Sequence, residues 1–150
     1  MNSAPEINLA GRRILITGGA RGLGAAFAQA AVQAGARVVI TDVLHSLGQA
    51  TASSLGSMAH YLPMDVADSA SVTAGLTQAV TWLGGLDGLI NNAAITNSGG
   101  KPMHEIGEAT FDRVLSVNVK GPWLVTCAAH AALKASGSGR VLNIASDTAL

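Results

Sequence analysis

The chain has 150 residues, enough for one domain with a real core, and 49% of them are apolar against 12% charged. Nine basic residues balance nine acidic ones, so no net field draws the chain to nucleic acid or to an anionic membrane. The lone Cys127 excludes an internal disulfide and a multi-cysteine metal site, residues 1–11 lack a signal-peptide pattern, and no apolar run reaches bilayer length. These features describe a soluble cytoplasmic protein with no metal centre, built on a parallel sheet covered by helices on both faces.

Residues 1–10 read as a loose lead-in. A strand of β-branched and leucine residues over 12–17 follows, then the turn Thr17-Gly18-Gly19-Ala20-Arg21-Gly22-Leu23-Gly24. Leu23, Ala26, Phe27, Ala30 and Ala34 recur at helical spacing after it, and Gly35 can end that helix in the left-handed conformation. Gly18 permits a tight turn, Gly22 lets a ligand phosphate approach the backbone, and Gly24 lets the helix lie close on the strand. Free N–H groups of the first helical turn, together with the helix dipole, make a cradle for a pyrophosphate. A second strand over 37–41 ends at Asp42, about where a dinucleotide fold places its ribose-binding carboxylate.

Residues 45–56 form a helix weakened by Gly48 and Gly56, and Met58-Ala59-His60-Tyr61-Leu62 a third strand ending before Asp65. His60 reads as a partly exposed strand residue. Asp68 begins a helix whose packed face is Val72, Leu76, Val80 and Leu83, and Gly84-Gly85 stops it. A fourth strand over 86–90 leaves Asn91 at its carboxyl end. Right-handed crossovers then give strand order 3-2-1-4, with a crevice where the chain reverses across the sheet, lined by Gly22, Asp42, Asp65 and Asn91. The loop at 95–107 belongs to the substrate entrance, and its Lys101 and His104 are solvated.

One helical pattern covers 108–135, broken at Gly121-Pro122. Proline has no N–H, so the carbonyl oxygen of Asn118 is freed. Trp123, Leu124, Cys127 and Ala131 form a second apolar face, meeting either another subunit or a further part of the same chain; Cys127 is a buried small hydrophobe and His130 is solvated. The fifth strand, 140–145, is an apolar edge and ends at Ser146.

The spacing G-x-x-x-G-x-G after Thr17 resembles that of the short-chain dehydrogenase/reductase family. Asp65-Val66, Asn91-Asn92-Ala93-Ala94 (alanine replacing the last glycine of N-N-A-G), Asn118-Val119-Lys120-Gly121 and Asn143-Ile144-Ala145-Ser146 match further family segments in order. The resemblance implies an α/β fold, a Rossmann-type doubly wound parallel sheet of order 3-2-1-4-5 without the C-terminal strands of the full fold. It implies hydride transfer between NAD(H) and an alcohol or ketone. Cofactor contacts fall to Gly18, Arg21, Gly22, Leu23, Gly24, Asp42, Asp65, Val66, Asn91 and Ala93, with Asp65 accepting from the adenine amino group. Ser146 donates to the substrate oxygen, and Asn118 holds a water in a proton relay. Family members also associate through the helix at 108–135.

Arg21 could reach a 2′-phosphate, yet Asp42 would lie against one, so the coenzyme expected is NAD rather than NADP. The family's Tyr-x-x-x-Lys motif has no counterpart here: the only tyrosine is Tyr61, on the third strand. The expectation is therefore a C-terminally truncated oxidoreductase, inactive by itself. Rival readings are a non-catalytic NAD-binding sensor or scaffold, an epimerase or dehydratase, and a SAM-dependent methyltransferase.

Overall fold

Strand β1 (Arg13–Thr17) is apolar at successive positions, which only a strand covered on both faces can bury, and the computed structural model, describing residues 7–96 and 100–146, buries it so. β2 (Arg37–Asp42), β3 (Ala59–Pro63), β4 (Gly88–Asn91) and β5 (Arg140–Asn143) join it in one parallel sheet of order 3-2-1-4-5. Side chains alternate across this sheet. Leu15, Val39, Leu62 and Leu89 point to one face, where they pack with Leu76 and Leu83 of α3 (Ser69–Leu83) and Val125, Ala129 and Leu133 of α5 (Gly121–Ala135). Ile14, Ile16, Val38, Ile40 and Tyr61 point to the other, against Ala28 and Ala31 of α1 (Gly22–Gln33) and Ala52 of α2 (His45–Leu55). The sheet is thus doubly wound, and its halves diverge between β1 and β4.

Local signals account for both ends of α3. Asp68 caps α3 by accepting the Ser71 N–H at 2.7 Å, and Gly84 closes that helix at φ 75°. α2 forms despite its glycines because Gly48 lies against the Tyr61 ring, where a Cβ would collide with the ring carbons.

Several expectations are corrected. Of the lead-in expected over 1–10, residues 1–6 lie outside the described residues, and the part around Leu9 is not loose: the Leu9 N–H donates to Ala34 O at 2.8 Å and its side chain packs on the core. α1 buries Gly24, Ala28 and Ala31, whereas Leu23, Ala26 and Ala30 are exposed. An alanine-rich helix has almost no period, so the close approach at Gly24 sets its rotation. β3 lies one residue further along than predicted, and β5 ends at Asn143. α4 (Glu108–Leu115) is separated from α5 by a π-helical turn over Ser116–Lys120, so the break begins a turn before Pro122. Cys127 is exposed, because Val125, Ala129 and Leu133 supply the inward face of α5.

Candidate functional site

The carboxyl ends of β1, β2, β3 and β4 surround a cleft of about 350 Å³, lined by Gly18, Arg21, Gly22, Asp42, Asp65, Val66, Ala93, Arg113 and Val117 among others. Its floor is the turn between β1 and α1. Gly18 sits at φ 66° with a Cβ position only 2.8 Å from Ala93 Cα, so no side chain fits there. A Cβ on Gly24 would strike the carbonyl oxygen of Gly18 and come within 2.7 Å of Asn92 Nδ2. Gly22, at φ 58°, faces open space. The first N–H groups of α1 have no intrahelical acceptor, and together with the helix dipole they make this end of the helix favourable for negative charge. Arg21 stands at the helix start with its side chain exposed at the cleft mouth.

Two side chains that the sequence reading did not select hold this floor in place. Thr17 Oγ1 accepts the N–H groups of Asn92 and Ala93, each at 3.1 Å. Asn92 Nδ2 in turn donates to the carbonyls of Thr17 and Gly18, each at 3.0 Å. The signal was present: a threonine at the end of β1 and an asparagine directly after β4.

Asn91 is not in the cleft lining. It is 4% exposed, and its Nδ2 donates to Thr126 Oγ1 at 3.1 Å and to Asn143 Oδ1 at 2.8 Å. Strand alternation explains this, since Asn91 shares a face with Leu89, the face that α5 covers. Leu23 is likewise outside the lining and exposed, and Gly24 shapes the floor from behind.

Asp42 is half-buried with both oxygens engaged: Oδ2 accepts the Ala20 N–H and Oδ1 the Leu44 N–H, each at 3.1 Å. An ionised carboxylate offers about four lone-pair sites, so two remain for hydroxyl donors in the cleft. Behind it, the Tyr61 hydroxyl donates to the Asp42 carbonyl at 2.9 Å and lies 3.3 Å from His45 Nδ1. Burial pushes the Tyr61 hydroxyl above its ordinary pKa, and the Asp42 charge adds to that. Tyr61 is a brace for β2 and not a proton donor to the cleft.

Asp65 Oδ1 accepts the Ala67 N–H at 2.9 Å, and Oδ2 lies 3.3 Å from Arg113 Nη2. Val66 is buried beneath the cleft, held close to α5 because Gly121 has no side chain to meet it. Asn118, inside the π-helical turn, uses its side chain on Ile95: Oδ1 accepts the Ile95 N–H at 2.9 Å and Nδ2 donates to the Ile95 carbonyl at 2.8 Å. Ser146 lies exposed three residues beyond β5 and is not among the lining residues. Lys101 and His104 are exposed; part of the loop that carries them, residues 97–99, lies outside the described residues. As a whole the cleft sets free helix N–H groups, which favour negative charge, beside carboxylate acceptors, which favour hydroxyl or amino donors.

The family model for short chain dehydrogenase matches residues 12–150. A 3-alpha-(or 20-beta)-hydroxysteroid dehydrogenase of Mycobacterium tuberculosis is 41% identical over 138 residues, covering 92% of this chain and 52% of that protein. Sorbitol dehydrogenase of Cereibacter sphaeroides is 38% identical over 141 residues, 93% of this chain and 54% of that one. Among solved structures, a 3-ketoacyl-(acyl-carrier-protein) reductase from Brucella melitensis complexed with NADH superposes with a TM-score of 0.89 at 32% identity, covering 93% of this chain and 58% of that chain. The chain therefore spans about half the length of the curated relatives it matches. With its strand order, its glycine-floored cleft and a match running from β1 to Leu150, this chain belongs to the short-chain dehydrogenase family.

Proposed function

We propose that this chain is the NAD(H)-binding domain of a cytoplasmic, homo-oligomeric oxidoreductase that moves a hydride between the coenzyme and a small alcohol or ketone. The observation that carries the reading is the junction of a side-chain-free floor at Gly18 and Gly24 with the braced carboxylate of Asp42 in one cleft. A Cβ at either glycine would collide with the backbone and the Asn92 amide that shape the floor, so the cradle keeps a form that fits a dinucleotide only while both positions lack a side chain. The NADH bound by the Brucella melitensis reductase supports the same coenzyme here.

Each residue then has a task. The N-terminus of α1 binds the pyrophosphate, Asp42 accepts from the adenosine ribose hydroxyls, and Asp65 accepts from the adenine amino group. Asp42 also selects NAD over NADP. Two like unit charges about 4 Å apart cost about 4 kcal/mol near a protein surface, against under about 1 kcal/mol returned by an exposed arginine such as Arg21. When bound, NAD(H) supplies or takes the hydride at its nicotinamide ring. Ser146 donates to the substrate oxygen, and the main-chain oxygen of Asn118 holds a water for proton relay. The family's Tyr-x-x-x-Lys motif has no counterpart among these 150 residues, and the reading is that they bind coenzyme without turnover. Phe111, Leu115, Val119 and Trp123, all exposed on α4, the π-helical turn and α5, are the pairing surface with a second copy.

The test is oxidation of NADH and NADPH by the whole native gene product against a panel of ketones. NADH consumption with at least one ketone, faster than with NADPH, is expected. NADH binding with no turnover on any substrate would favour a coenzyme sensor instead.

A further inference from the structure

Arg113 projects from α4 with about half of its side chain exposed, and its ion pair with Asp65 is the one polar contact between α4 and the turn after β3 among the described residues. A pair this exposed adds under about 1 kcal/mol to stability. Its position gives it a different use. Both residues line the cleft, and they reach it from elements 48 positions apart in sequence.

The end torsion of a carboxylate is broad and two-fold, so an aspartate on a turn does not by itself hold one orientation. Asp65 is held at both oxygens, from different directions: the Ala67 N–H on Oδ1 at 2.9 Å and the Arg113 guanidinium on Oδ2 at 3.3 Å. The first contact is local to the turn and leaves rotation about it open. The second, from another helix, closes that freedom. A carboxylate so fixed presents acceptors only, which attract an amino group and repel a carbonyl oxygen.

We propose that Arg113 is a positioning residue through which Asp65 reads the base of the bound dinucleotide, selecting an amino-bearing purine over an oxo-bearing one. The inference rests on the reading that the cleft holds a dinucleotide. Arg113 touches neither the Gly18 floor nor Asp42, so its loss leaves the phosphate and ribose contacts in place.

The probes are NADH and its hypoxanthine analogue, reduced nicotinamide hypoxanthine dinucleotide, which carries a carbonyl oxygen where adenine carries an amino group. Both are titrated by nicotinamide fluorescence into the chain and its variants. The parent is expected to favour NADH by about tenfold or more, the scale of one charged hydrogen bond. Arg113→Leu should cut that ratio by about threefold or more, and Arg113→Lys should restore part of it. Asp65→Asn should abolish the preference, and adding Arg113→Leu to it should change nothing further, because the arginine acts through the aspartate. A ratio unchanged in Arg113→Leu, or lowered equally with and without Asp65, overturns the inference while leaving coenzyme binding intact. Failure of the parent to bind NADH at all overturns the underlying reading and this one with it. Unchanged far-UV circular dichroism in Arg113→Leu confirms that the ratio is read on folded protein.

Discussion

The side chain of Asn118 and the main chain of Ile95 exchange two hydrogen bonds, at 2.9 and 2.8 Å, as two strand residues would. This joins the π-helical turn to the segment leaving β4, and so fixes the wall of the cleft to which Val117 also belongs. Replacing Asn118 with aspartate keeps the acceptor but sets a charge against the Ile95 carbonyl. Asn118→Asp should lose about 2 kcal/mol in urea denaturation and weaken NADH binding as well. Asn118→Ala should lose about 1 kcal/mol. Equal stability in all three proteins would show that the pairing contributes nothing.

The glycine floor makes a sharper comparison. A Cβ at Gly24 meets backbone that cannot yield, whereas one at Gly22 meets open space and only the strain of φ 58°. Gly24→Ala is expected to cost about 1–3 kcal/mol and to abolish NADH binding, while Gly22→Ala costs about 1 kcal/mol. The order of their thermal midpoints, measured by circular dichroism, checks this.

Coenzyme choice is the test of Asp42. Asp42→Ser removes the negative charge while keeping a small polar side chain. NADH affinity should fall about tenfold and NADPH affinity rise, reversing or erasing the preference in paired titrations. A preference for NADH that survives the substitution would remove Asp42 from the selection.

Arg13 and Asp87 give the fold a pH dependence. The guanidinium donates Nε to Oδ2 and Nη2 to Oδ1, each at 2.8 Å, with Nη1 on the Gly84 carbonyl at 2.7 Å. The hydrogen bonds from Arg13 hold the Asp87 carboxyl below its ordinary value of 3.8, more than burial raises it. A lowered folded pKa means that the stabilisation is fully present above the ordinary value and is lost as pH falls through the lowered one. The stability gap between the parent and Asp87→Asn should therefore be about 2 kcal/mol at neutral pH and shrink only below about pH 4. A gap that does not depend on acid would contradict the pairing.

How far these features were legible in the sequence depended on the range of the interaction. The β1 strand, the glycine turn and the start of α1 rest on neighbouring residues, and the strand order follows from crossover handedness. The buried face of α1 was missed because alanines at nearly every position give no period, and what turns the helix is Gly24 against Gly18, a tertiary contact. That Asn91 lies behind the cleft and Asn92 beside it left no sequence signal, since Leu89 and Ile90 are both apolar and both faces of β4 are covered. The Asn118 side-chain pairing with Ile95 joins positions 23 apart and left no local trace.

Direct titration of the purified 150-residue chain with NADH, followed by enhancement of nicotinamide fluorescence, tests the central claim most simply. Saturable one-to-one binding to the parent, lost in a folded Gly24→Ala variant, is the expected result. No binding to a folded parent chain, or binding that Gly24→Ala leaves unchanged, would contradict it.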